Sequence, residues 1–156
     1  MNVRLEQDLL KLEDVSGVVD RIESFLRDYV NRTSADGVVF GMSGGLDSSV
    51  VAALCSRAFR DSRKVLGLCM PEEETYNPKD VQDAERVAKI FDIDFRRIDV
   101  TPMVKVFKGL KVVDPENKVA NGNVKARIRA VTLFYHANVL NRLVVGTTDK
   151  SEMMLG

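Results

Sequence analysis

Apolar residues recur along this chain in two rhythms. Between residues 4 and 31 they stand at Leu5, Leu9, Leu12, Val15, Val18, Val19, Ile22, Phe25, Leu26 and Tyr29. That spacing predicts N-terminal packing helices over 1–31, with a break near Ser16-Gly17. Thr33-Ser34-Ala35-Asp36-Gly37 reads as a turn. Short apolar runs at 38–40, 64–71 and 142–145 then read as buried strands, the second stopped by Pro71. Residues 94–100 alternate apolar and charged and predict another strand. Between the strands the period turns helical, from the 41–49 loop to about Arg60, from Pro78 to about Phe91, and from Thr101 to about Leu110. Pro78 suits the first position of its helix. A last helix is predicted from Gly122 or Asn123 to Leu140, with Val124, Ile128, Val131 and Tyr135 along one side.

Strands alternating with helices predict an α/β fold, a parallel sheet with helices on both faces in a Rossmann-like three-layer arrangement. Such sheets take ligands outside the carboxyl ends of their strands. Three polar loops fall at those ends, 41–49, 71–77 and 146–152, and are expected to converge on one crevice. No internal repeat or low-complexity tract interrupts the order.

The 156 residues suffice for a single domain with a real core. Lys plus Arg equals Asp plus Glu at 23 each, which argues against nucleic acid as the partner. No apolar stretch reaches the length of a membrane span. The first eight residues carry charges of both signs and no apolar signal core, so a cytoplasmic location is expected. Cys55 and Cys69 lie in apolar surroundings and read as reduced core residues. The single histidine, His136, excludes a His-rich metal site and reads as a packing or partly exposed residue, not a catalytic base.

Candidate chemistry gathers in Gly41-Met42-Ser43-Gly44-Gly45-Leu46-Asp47-Ser48-Ser49, between the first strand and the helix after it. Glycines permit a tight turn and let backbone N–H groups approach an anion. A helix start presents free N–H groups and a partial positive charge, so phosphate is the expected guest. Ser43, Ser48 and Ser49 add hydroxyls. Asp47 beside phosphates makes sense if it holds a Mg²⁺ that bridges to them. The loop is not a Walker A motif, because Leu46 and Asp47 stand where Lys and Ser or Thr would be needed.

Ser43-Gly44-Gly45-Leu46-Asp47-Ser48 resembles the Ser-Gly-Gly-x-Asp-Ser signature of the ATP-pyrophosphatase (PP-loop) family, whose fold is adenine nucleotide alpha hydrolase-like. Those enzymes cleave ATP between its α and β phosphates. Two further stretches narrow the resemblance. Asn123-Val124-Lys125-Ala126-Arg127-Ile128-Arg129 sets Asn123 and Arg127 four apart on one helical face, a natural clamp for phosphate or carboxylate. Gly146-Thr147 is followed by Lys150-Ser151-Glu152. Together these resemble the ammonia-dependent NAD⁺ synthetase branch, over about residues 15 to 156.

The resemblance implies a ligase that amidates deamido-NAD⁺ with ammonia, using ATP and Mg²⁺. Residue by residue it implies that Gly41, Met42, Ser43, Gly44, Gly45, Leu46, Asp47 and Ser48 hold the ATP phosphates, with Thr147 touching ATP. It implies Asp47 and Glu152 as Mg²⁺ ligands, Asn123 and Arg127 facing deamido-NAD⁺, and backbone groups of Leu68 to Met70 flanking adenine. No side chain is assigned as acid, base or nucleophile. The family is homodimeric around the long helix, so a homodimer is expected. Its chains run on for roughly another hundred residues, about a small domain's worth. A truncated site, or one completed by a separate chain, is therefore expected. Alternatives are another amidating or thiolating ligase of the PP-loop family, or an incomplete ATP-binding fragment that dimerises. Lys125, Arg129 and Lys150 are read as surface charges and Glu72-Glu73-Glu74 as a solvated loop.

Overall fold

The structure is a computed structural model and describes residues 13–110, 114 and 116–147. Four parallel strands form its centre: β1 (Gly37–Gly41), β2 (Val65–Cys69), β3 (Asp94–Arg97) and β4 (Arg142–Val144), in the order β3-β2-β1-β4. Helices α1 (Val15–Thr33), α2 (Leu46–Ala58), α3 (Pro78–Ile90), α4 (Thr101–Lys108) and α5 (Lys118–Val139) complete it.

The runs in β1 and β2 are apolar throughout because successive side chains meet helices on opposite faces. Val38, Phe40, Val65 and Cys69 pack with Val30 of α1, Ala52 and Cys55 of α2 and Ala84 of α3. Val39, Leu66 and Leu68 pack on the other side with Ile128, Leu133 and Ala137 of α5. Both cysteines are free and buried, as their surroundings in the sequence predict.

Several boundaries differ from the sequence pattern. The break expected near Ser16-Gly17 falls at Asp14, whose carboxylate accepts from the Gly17 N–H at 2.8 Å, and α1 runs unbroken through Gly17. An N-cap is a stronger stop than one helical glycine. The helical pattern of residues 4–12 lies outside the described residues. The last helix begins at Lys118, ahead of Gly122, because the Asn117 side chain caps it by accepting from Ala120 N–H at 3.0 Å. Strand β3 ends at Arg97, short of Val100, and Asp99 turns to accept from Thr101 N–H at 2.9 Å, opening α4.

The strand order decides where the site falls. The chain runs outward from β1 to β2 to β3, then returns through α5 to place β4 on the other side of β1. The strands on either side of β1 are reached by connections running in opposite senses, which makes the β1/β4 boundary the topological switch point, where a crevice opens. Val39 faces Val144 in register, and Val145 N–H donates to Val39 O at 2.9 Å. The segment after β4 therefore runs out beside the start of the 41–49 loop.

Candidate nucleotide site

The turn from β1 into α2 is built by its own hydroxyls. Ser48 is buried at 4% exposure. Its Oγ donates to Gly45 O at 3.0 Å and accepts from Ser43 N–H at 3.3 Å. That single proton being used, Ser43 Oγ is the donor in its 3.2 Å contact with Ser48 Oγ, and it accepts from Gly45 N–H at 3.2 Å. Ser49 Oγ also donates to Gly45 O, at 2.8 Å. Ser48 thus shapes the loop from beneath.

Of the three glycines, Gly44 alone has positive φ, at 84°. A Cβ there would stand 2.3 Å from the carbonyl oxygen of Asp80 in the first turn of α3. Helix α3 therefore lies directly against the loop, and only glycine fits between them. Gly45 precedes α2 in extended conformation and no side chain caps that helix end. The first N–H groups of a helix have no intrahelical partner, so this end can hold an anion.

The sequence-selected residues divide. Leu46 is 77% exposed, and Asp47 is exposed beside it in the first turn of α2. Met42 is buried, with its sulfur against Gly67 and its N–H donating to Leu68 O at 2.9 Å, so only its backbone borders the loop. Gly146 is exposed and Thr147 half-buried past the end of β4. Glu152 and Lys150 lie outside the described residues. The carbonyls of Leu68, Cys69 and Met70 each accept one hydrogen bond, from Met42 N–H, Ile98 N–H and Arg129 Nε. Among the described residues no group of three His, Cys, Asp or Glu side chains is arranged to hold a metal.

Asn123 and Arg127 do share a face of α5, and both are exposed. Arg127 Nη1 donates to the main-chain oxygen of Asn123 at 3.1 Å, not to its side-chain amide. Lys125 and Arg129 correct the surface reading. Two residues along a helix turn the side chain by about 200°, so these two point away from Asn123 and Arg127. Lys125 is 8% exposed, and its Nζ lies 2.7 Å from Glu72 Oε2 and 2.9 Å from Glu74 Oε2. Arg129 Nε donates to Met70 O at 3.0 Å.

Glu72 corrects the solvated-loop reading, being 2% exposed, whereas Glu73 and Glu74 keep exposed side chains. Burial raises the Glu72 carboxyl, but Lys125, the Glu74 N–H and the Thr75 hydroxyl together hold it below its ordinary range. For Lys125, burial works against the charge and the two carboxylates outweigh it, raising the ammonium. Glu74 is drawn down to about 2 by Lys108 and Lys125. The signal missed in the sequence was the second i, i+4 pair, Lys125 and Arg129, interleaved with the first. His136 is half-buried, its Nδ1 2.8 Å from Thr132 O one turn back on α5.

A parallel α/β sheet with a glycine-serine loop and an uncapped helix start at its switch point defines a Rossmann-like α/β architecture. The chain belongs to the NAD synthase family, which it matches over residues 18–156. It is 46% identical over 146 residues to the NH(3)-dependent NAD(+) synthetase of Methanocaldococcus jannaschii, an alignment covering 92% of this chain and 56% of that protein. With the NH(3)-dependent NAD(+) synthetase of Archaeoglobus fulgidus it shares 45% identity over 139 residues, 89% of this chain and 55% of the relative. The solved structure of the NH3-dependent NAD synthetase of Campylobacter jejuni superposes with a TM-score of 0.84 at 32% identity, covering 93% of this chain and 61% of that one. The chain spans about half the length of the relatives it matches.

Proposed function

We propose that this chain takes part in the ATP-dependent amidation of deamido-NAD⁺ with ammonia, giving NAD⁺, AMP and pyrophosphate. The observation that carries the reading is the self-braced loop from Ser43 to Ser48 at the switch point, within a chain of the NAD synthase family. In the proposed reaction the nicotinate carboxylate attacks the α-phosphorus of ATP and pyrophosphate leaves. Ammonia then attacks the acyl carbon of the acyl-adenylate and AMP departs. Attack of one anion on another needs charge neutralisation more than a base. The first N–H groups of α2, at Leu46 and Asp47, would supply part of it, and Thr147 is the proposed contact to ATP from the segment after β4.

Mg²⁺ commonly uses one or two carboxylates and completes its shell with phosphates and water, so Asp47 with ATP is a fitting donor set. Glu152 is the proposed second protein ligand. When bound, the ion would neutralise phosphate charge.

Asn123 and Arg127 are the proposed contacts for deamido-NAD⁺. They lie on the face of α5 opposite Lys125 and Arg129, which reach toward the β2–α3 connection of the same chain. That face also exposes Val131, Phe134 and Tyr135, at 66%, 59% and 65%. A second copy packed on α5 would cover this apolar surface and bring Arg127 toward a crevice, which supports a homodimer. Two buried free thiols suit a reducing compartment, so the reading places the protein in the cytoplasm.

Incubation of the chain with ATP, Mg²⁺, deamido-NAD⁺ and ammonia, with NAD⁺ and pyrophosphate both measured, tests the proposal. Both products are expected, and both are expected to disappear in Asp47→Ala. Pyrophosphate without NAD⁺ would assign a different acceptor. ATP binding with neither product would show that turnover requires protein beyond these residues.

A further inference from the structure

Two side chains one turn apart on α5 hold the connection that leaves β2. Arg129 fixes its start at Met70, and Lys125 fixes Glu72 and Glu74. Glu72 is closed on every side: Oε1 accepts from Glu74 N–H and Oε2 from the Thr75 hydroxyl, each at 3.1 Å. From α4, Lys108 takes the second oxygen of Glu74, and the Thr101 hydroxyl accepts from Glu73 N–H at 2.9 Å. The connection then enters α3, whose Asp80 carbonyl lies against Gly44. A continuous chain of contacts thus joins Lys125 to the glycine loop.

We propose that Lys125 is a positioning residue: by holding Glu72 and Glu74 it fixes the β2–α3 connection, and through Asp80 the Ser43–Ser48 loop, in the arrangement that receives nucleotide. The proposal rests on the nucleotide reading of that loop. Its physical basis is the asymmetry of buried ion pairs. An intact pair contributes little compared with an apolar replacement, whereas removing one partner leaves a charge that the site cannot hold. Without Lys125, the ionised Glu72 must leave its pocket and carry the connection with it. Neutralising Glu72 as well removes that conflict.

The test compares the wild-type chain with Lys125→Met, Glu72→Gln, Lys125→Met/Glu72→Gln and Glu74→Gln. Amide exchange over 72–75 and binding of α,β-methylene ATP with Mg²⁺ are measured for each. If Lys125→Met leaves the receptive arrangement populated about a tenth of the time, analogue affinity falls roughly tenfold. Exchange over 72–75 rises with it. Adding Glu72→Gln to that variant is expected to restore most of both, which loss of the lysine stem's packing alone would not do. Glu74→Gln alters an exposed side chain, so it keeps the test alive if Lys125→Met does not fold. It removes the charge of one of the two carboxylates that Lys125 pairs with and is expected to raise exchange and weaken binding roughly twofold to threefold. Unchanged affinity in both Lys125→Met and Glu74→Gln overturns the proposal, as does a double variant no better than Lys125→Met. A wild-type chain that does not bind the analogue overturns the nucleotide reading itself, and the positioning role with it.

Discussion

Gly44 and Asp80 touch across the mouth of the sheet: a Cβ on Gly44 would stand 2.3 Å from the Asp80 carbonyl oxygen. The contact joins the loop after β1 to the first turn of α3. Because the obstacle is backbone, it cannot swing aside as a side chain would.

Gly44→Ala therefore meets two penalties. Its φ of 84° is unfavourable for any L side chain, by about 1–3 kcal/mol, and the methyl group must push α3 away. The expected outcome is a Tm lowered by roughly 2–4 °C for each kcal/mol lost in a chain of this size. ATP binding is expected to vanish. Thermal denaturation and nucleotide titration check both, and a variant with wild-type Tm and affinity would refute the contact.

The carboxylates of the β2–α3 connection set an acid limit. Glu74 is held at about 2 against an ordinary value of 4.5, chiefly by Lys108 and then Lys125. A carboxyl depressed on folding stabilises above its unfolded value and loses that contribution as pH falls toward the folded one. Wild type should exceed Glu74→Gln in stability at neutral pH, and the gap should close as pH falls from about 4.5 to about 2. Urea unfolding of both proteins across that range gives the answer. A gap independent of pH would mean that the ion pairs add nothing. Glu74 is exposed, so the gap should also shrink in salt.

Burial pushes the Cys55 thiol up to about 12, and it raises Cys69 as well. The thiolate is the reactive form. Neither cysteine should react with an aromatic disulfide reagent in the folded chain near neutral pH, and both should react once urea unfolds it. Rapid labelling of Cys69 alone would show that the segment after β2 opens readily, since Cys69 ends that strand.

Much of the architecture was legible from local chemistry. The apolar runs of β1 and β2, Pro78 at a helix start and the cluster at 43–48 announce strands, a helix and a tight strand-to-helix turn through contacts made within a few residues. The Ser43–Ser48 braces are of this kind. Lys118 and Gly122 show the limit: the pattern starts the last helix at Gly122 or Asn123, yet α5 begins at Lys118, because the Asn117 cap starts it earlier.

The sequence by itself determined the parallel α/β class, the buried state of both cysteines and the glycine-serine turn from β1 into α2, since each depends on residue type and short-range spacing. Tertiary structure alone decided that Lys125 is buried and Arg127 exposed, that Glu72 differs from Glu73 and Glu74, and that among the described glycines only Gly44 has a backbone conformation that calls for one. Those distinctions arise where α5 meets the β2–α3 connection and where α3 meets the loop. They are contacts between segments far apart in the chain. A lysine carries the same local signal whether water or a carboxylate receives it, and only the packed neighbour settles which.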